Sequence, residues 1–75
     1  MRPRRYHINV FYSGEDRCFV ADIPDLWHCS AFGGTPEKAL AEVQVAMRGW
    51  LAQARKMRRP IPRAKYRPAI YRGTT

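Results

Sequence analysis

Four side chains of zinc-ligand type, His7, Cys18, His28 and Cys29, stand in this 75-residue chain beside five carboxylates that could do chemistry, Asp16, Asp22, Asp25, Glu37 and Glu42. A closed zinc site draws its ligands from suitably spaced pairs. No Cys-x2-Cys pair occurs here, and His28 and Cys29 are adjacent, an arrangement that sends them to opposite faces of a strand. A Cys–His nucleophile pair needs a third group to orient the base, and none is indicated. The carboxylates suggest a metal-dependent ribonuclease, which gathers several of them around one or two cations. Asp22 and Asp25 flank a turn and Glu37 opens the next helix, so partial convergence is conceivable. Each also has a local reason to be there, because acids favour turns and first helical turns. The expectation is therefore no catalytic residue, no metal and no cofactor, with the ribonuclease as the third of three readings.

Binding is the stronger theme. Trp27 falls in a loop, where an indole either covers one end of a core or anchors an interface. Cys18 and Cys29 read as small buried hydrophobes rather than reactive thiols. The formal net charge of +8 resembles a nucleic-acid footprint, but residues 6–54 carry three cations against six anions. The positive charge sits at the two ends: Arg2, Arg4 and Arg5 in front, and eight cations with no anion over 55–75. Arg58, Arg59, Arg63, Lys65 and Arg67, interleaved with Tyr66 and Tyr71, suit phosphate contact and base stacking. A solvated tail, or one paired with an acidic neighbouring subunit, is the plainer alternative.

Seventy-five residues make one domain, with an expected net stability of roughly 4–11 kcal/mol. Two cysteines make no disulfide framework, which suits a cytoplasmic protein with reduced thiols. No run of 18 apolar residues occurs, so a membrane partner is not expected. The basic start is not followed by the apolar stretch of a secretory signal.

The elements follow from period and punctuation. Tyr6–Tyr12 alternates, with Tyr6, Ile8, Val10 and Tyr12 on one face and His7, Asn9 and Phe11 on the other. Ser13-Gly14-Glu15-Asp16 reads as a hairpin turn. Arg17–Ile23 alternates again, with Phe19, Ala21 and Ile23 opposite Cys18, Val20 and Asp22. Pro24 stops that strand, and a short third strand is expected near Cys29–Phe32. Thr35 caps a helix with Pro36 at its first position. Leu40, Val43, Met47, Trp50, Leu51 and Ala54 form its apolar stripe. Pro60 and Pro62 end it near 57–58. The fold class is α+β: a small antiparallel sheet in the order β-β-β-α with one long amphipathic helix on one face. The Tyr66–Tyr71 stretch leaves room for a short extra C-terminal strand. A basic arm (1–5), an α+β domain (6–62) and a basic Pro- and Tyr-containing tail (63–75) divide the chain.

The middle of the chain, Ile23-Pro24-Asp25-Leu26-Trp27-His28-Cys29 and then Gly33-Gly34-Thr35-Pro36-Glu37-Lys38-Ala39-Leu40, resembles the N-terminal domain of HicB-like antitoxins. The Pro-Asp-Leu turn, the Gly-x-Thr-x-x-Glu-Ala type of helix start (here with Lys38 in the Glu place) and the Pro60-Ile61-Pro62 ending carry the resemblance over residues 6–62. The chain departs from the family pattern in leaving no room after residue 62 for the C-terminal DNA-binding domain, so a short, stand-alone member is expected. The resemblance implies a binding role: neutralising a small, basic, RNA-cleaving HicA-like toxin. Pro24, Asp25, Leu26, Trp27 and His28, or a sheet edge, would then make the partner contact. A homodimer or higher homo-oligomer is expected. The second reading is an oligomeric accessory protein that holds RNA or DNA through its basic termini.

Overall fold

A computed structural model of the chain describes residues 5–72, with side chains described as far as Ile70. Arg2 and Arg4 of the expected N-terminal arm, and the side chains of Tyr71 and Arg72 in the tail, lie outside the described residues. Three strands, β1 (Asn9–Ser13), β2 (Cys18–Asp22) and β3 (Ser30–Gly33), are followed by a long helix α1 (Pro36–Lys56) and one helical turn α2 (Ala69–Arg72). The sheet is antiparallel in the order β1-β2-β3. The small α+β fold expected from the sequence is the one observed. No fourth strand forms among the described residues. The chain after α1 runs without regular secondary structure to α2 instead, where Pro60, Pro62 and Pro68 withhold backbone donors that a ladder would need.

Register fixes the two faces of the sheet. Val10, Ala21 and Ala31 stand opposite one another, as do Tyr12, Phe19 and Gly33. This face takes the helix. On the other face Phe11, Val20 and Phe32 are in line, with Asn9, Asp22 and Ser30 beside them.

The helix begins where its caps allow. Thr35 is extended, and its Oγ1 accepts the Lys38 N–H at 3.1 Å. Pro36 needs no donor at this position. The helix ends in a Schellman arrangement. Arg59 N–H donates to the Ala54 carbonyl at 2.8 Å and Arg58 N–H to that of Arg55 at 3.1 Å. Arg58 takes the left-handed conformation, φ 55°, at the place where glycine is the usual residue.

Ala21, Ile23, Leu26, Ala39 and Val43 form the centre of the core, joined by Tyr6, Cys29 and Leu51. Small residues bring the helix close. A Cβ on Gly33 would lie 2.4 Å from the Ala39 backbone nitrogen. The apolar stripe differs from the expected one at its start. Ala39 is fully buried while Leu40 is 37% exposed, because the tight Gly33 approach selects the smallest side chain in that turn. Val43, Leu51 and Ala54 are buried as expected, and Met47 and Trp50 pack against the core from its margin.

Candidate functional site

The loop from β2 to β3 is built from two consecutive turns. Leu26 N–H donates to the Ile23 carbonyl at 3.0 Å, and Cys29 N–H to the Leu26 carbonyl at 3.2 Å. Ile23 N–H closes the base on the Cys29 carbonyl at 3.0 Å. His28 sits at φ 57° in the second turn, a left-handed position that is uncommon for a residue with a Cβ. This geometry divides the five expected contact residues. Leu26 is turned inward and is 2% exposed. Asp25 is half-buried, and Pro24, Trp27 and His28 are exposed. Trp27 stands out, 77% exposed, in a T-shaped contact with His28 whose ring centroids lie 4.6 Å apart.

Trp27 is held through its backbone rather than its ring. The Trp50 indole N–H donates to the Trp27 carbonyl at 2.8 Å. A cleft of about 390 Å³ lies between them, lined by Trp27, Trp50, Gln53, Ala54, Met57 and Arg59. A shallower cleft of about 300 Å³ follows the loop on the Asp22, His28 and Ser30 side.

The basic tail is strapped to the fold. Ile61 packs on the core, and the Tyr6 hydroxyl donates to the Pro62 carbonyl. One Asp25 carboxylate oxygen accepts the N–H groups of Lys65, at 3.2 Å, and Tyr66, at 3.1 Å. The Tyr66 ring meets His7 at 4.7 Å, and His7 Nε2 bonds Asn9 Oδ1 at 2.6 Å. Arg58, Arg59, Arg63, Lys65 and Arg67, the residues expected to meet nucleic acid, are all exposed along this strap. Sequence reasoning missed the anchoring. Its signal was present in Ile61 and Tyr66, two core-type side chains inside an otherwise basic, proline-rich stretch.

The sheet face turned away from α1 is the other feature. Phe11 is 50% and Phe32 56% exposed, and between them Val20 falls to 9%. The alternation separated Phe11 from Val10 and Tyr12, and Val20 from Phe19 and Ala21, but bringing Phe11, Val20 and Phe32 together needed the register. Asp16 bonds Ser13 within the hairpin turn, its Oδ2 accepting from Ser13 Oγ at 2.9 Å. Among the described residues, no three of His, Cys, Asp or Glu converge on a point where a metal could sit.

The two cysteines differ in access. Cys29 is buried and Cys18 half-buried, both as free thiols. Burial pushes the Cys29 thiol up from its ordinary value, which reduces its thiolate fraction at neutral pH. Ellman's reagent at pH 8 is therefore expected to modify Cys18 first and Cys29 only on unfolding. Equal rates in the folded protein would contradict the burial of Cys29.

Among the described residues, no helix is long and apolar enough to cross a membrane. Comparison with family models, curated proteins and solved structures found no match.

Proposed function

We propose that this chain is an antitoxin-type interaction module, similar to the HicB family, that holds a small, basic, RNA-cleaving protein of the HicA type against the helix-free face of its sheet. The supporting observation is the Phe11–Val20–Phe32 row, two half-exposed aromatics fixed on a paired backbone. Aromatic residues on a rigid surface are the usual anchors of protein interfaces. Charge favours a basic occupant. Residues 6–54 carry twice as many anions as cations, and Asp22 shares the face with the aromatic row. The module acts by covering its partner, without catalysis of its own. Self-association would use the unpaired outer edges of β1 and β3 and leave the face free.

The test is co-expression with a small, basic, RNA-cleaving toxin of the HicA type. The wild-type chain should restore growth, and the Phe11→Asp, Phe32→Asp double variant should not. Each loss is expected to weaken binding by about 30-fold, the scale of an interface anchor, with the melting temperature little changed. Persistent toxicity beside the wild-type chain would end this reading.

A second reading has its own observation. The strapping of residues 61–66 through Ile61, Tyr6 and Asp25 sets the tail cations at fixed places on the fold. An oligomeric accessory protein that grips RNA or DNA phosphates would be served by this. Its binding should fall steeply with salt.

A further inference from the structure

We infer that the cleft between Trp27 and Trp50 is a base-stacking site for single-stranded nucleic acid. This inference rests on the second reading above and adds to it a place where a base is held.

Three features of the cleft point to this ligand. The first is the state of Trp27. Its carbonyl is fixed by the Trp50 indole N–H, yet its ring is 77% exposed. This large ring stands mostly in water on an immobilised backbone, with His28 in T-shaped contact at 4.6 Å, and every base has a π-face to lay against its exposed surface. The second is the polar equipment. Gln53 and Arg59 line the same cleft as the two indoles. A carboxamide and a guanidinium can both hydrogen-bond the edge of a stacked base. Trp50 has committed its one donor to Trp27, so it contributes apolar surface. The third is charge. No acidic residue follows Glu42, and residues 55–67 carry seven cations. The cleft opens at the helix end from which this basic strap departs. A strand seated on Trp27 would find Arg59 in the cleft lining for its phosphates, with Arg58 next to it in sequence.

The same facts disfavour a basic protein in this cleft, so it is distinct from the sheet face proposed for a toxin. They also rank an acidic peptide below a nucleic acid. A peptide gains much of its affinity from backbone ladders at a sheet edge, and this cleft is formed by a helix and a loop. Arg58 adds a further point. It is a cation at the left-handed position past the helix, φ 55°, where glycine would cost less.

The test measures binding of a labelled single-stranded oligouridine to the full chain, with a duplex of the same length and a polyglutamate peptide as competitors. Trp27→Ala should weaken oligouridine binding about 5- to 100-fold, the range for loss of one stacked base, and Trp27→Phe should recover most of it. Arg58→Gly should lower affinity, reduce the salt slope by about 1 and raise the melting temperature, separating binding from folding. Unchanged affinity in Trp27→Ala, together with loss on neutralising Arg63, Lys65 and Arg67, would overturn the stacking site while leaving the gripping tail intact. Absence of binding to oligouridine and duplex alike at low salt would overturn both. Competition by polyglutamate that depends on Trp27 as strongly as oligouridine does would overturn the assignment in favour of an acidic protein ligand.

Discussion

Gly33→Val should abolish the cooperative unfolding transition of this domain, and Gly33→Ala should already lower its stability by about 1–3 kcal/mol, the cost of forcing atoms into a packed core. The reason is space, not backbone freedom, since no glycine among the described residues has a positive φ. A Cβ at Gly33 would lie 2.4 Å from Ala39 N, 2.8 Å from the Lys38 carbonyl carbon and 2.9 Å from Ala39 Cα. All three are backbone atoms of the first helical turn, so no side-chain rotation relieves the contact. The helix would have to lift from β3, and Ala39 and Val43, now fully buried, would lose their seat. With a total stability of roughly 4–11 kcal/mol for a chain this size, the larger valine side chain is expected to exceed what the fold can absorb. Gly49 is the control. A Cβ there meets nothing within 4 Å, so Gly49→Ala should stabilise the helix by about 1 kcal/mol. Urea titrations followed by circular dichroism would measure the set. A Gly33→Ala variant as stable as the wild type would show that the helix does not lie this close to the sheet.

Leu26→Ala is expected to cost about 2–5 kcal/mol, the usual range for truncating a buried leucine. Leu26 is 2% exposed and among the largest fully buried side chains. It comes from a surface loop, yet the two turns at Ile23–Leu26 and Leu26–Cys29 direct it into the core. Its neighbour Trp27 should behave oppositely. Trp27→Ala keeps the carbonyl that Trp50 uses and removes a ring that is largely in water. A change within about 0.5 kcal/mol is therefore expected. One short motif thus serves two purposes, a plug for the core and a display of aromatic surface. If thermal melts ranked Trp27→Ala as the more damaging substitution, this division of the loop would be wrong.

Much of the fold could be read from the residues because its local signals agree. Alternation in β1 and β2, Pro24 as a stop, and Thr35-Pro36 as a helix start all describe the same small α+β unit. Leu40 shows the limit. Its apolar character and spacing suited the core stripe, but the close approach at Gly33 is a contact between elements, and it gave the buried place to Ala39. Leu26 shows a second limit. Nothing in Pro-Asp-Leu-Trp-His says which of its two large apolar side chains turns inward, because the turns settle that. The tail shows a third. Its composition suggested a basic arm, and composition is silent about Asp25 receiving the amides of Lys65 and Tyr66. These bonds join positions 40 and 41 residues apart and have no local signature. The two candidate surfaces were hidden for the same reason. Phe11, Val20 and Phe32 come together only through strand register, and Trp27 meets Trp50 only when the loop folds back on the helix.

The central claim is that the helix-free face of the sheet is where a basic protein partner sits. Amide chemical shifts of the isotopically labelled full chain, followed as a small basic ribonuclease of the proposed HicA type is added, test it most directly. The account predicts that the largest shifts fall on Phe11, Val20, Asp22 and Phe32, and that they vanish in the Phe11→Asp, Phe32→Asp variant. Shifts that spare β1 and β3 and gather on Trp27, Met57 and the strapped tail, or no shifts at all, would contradict it.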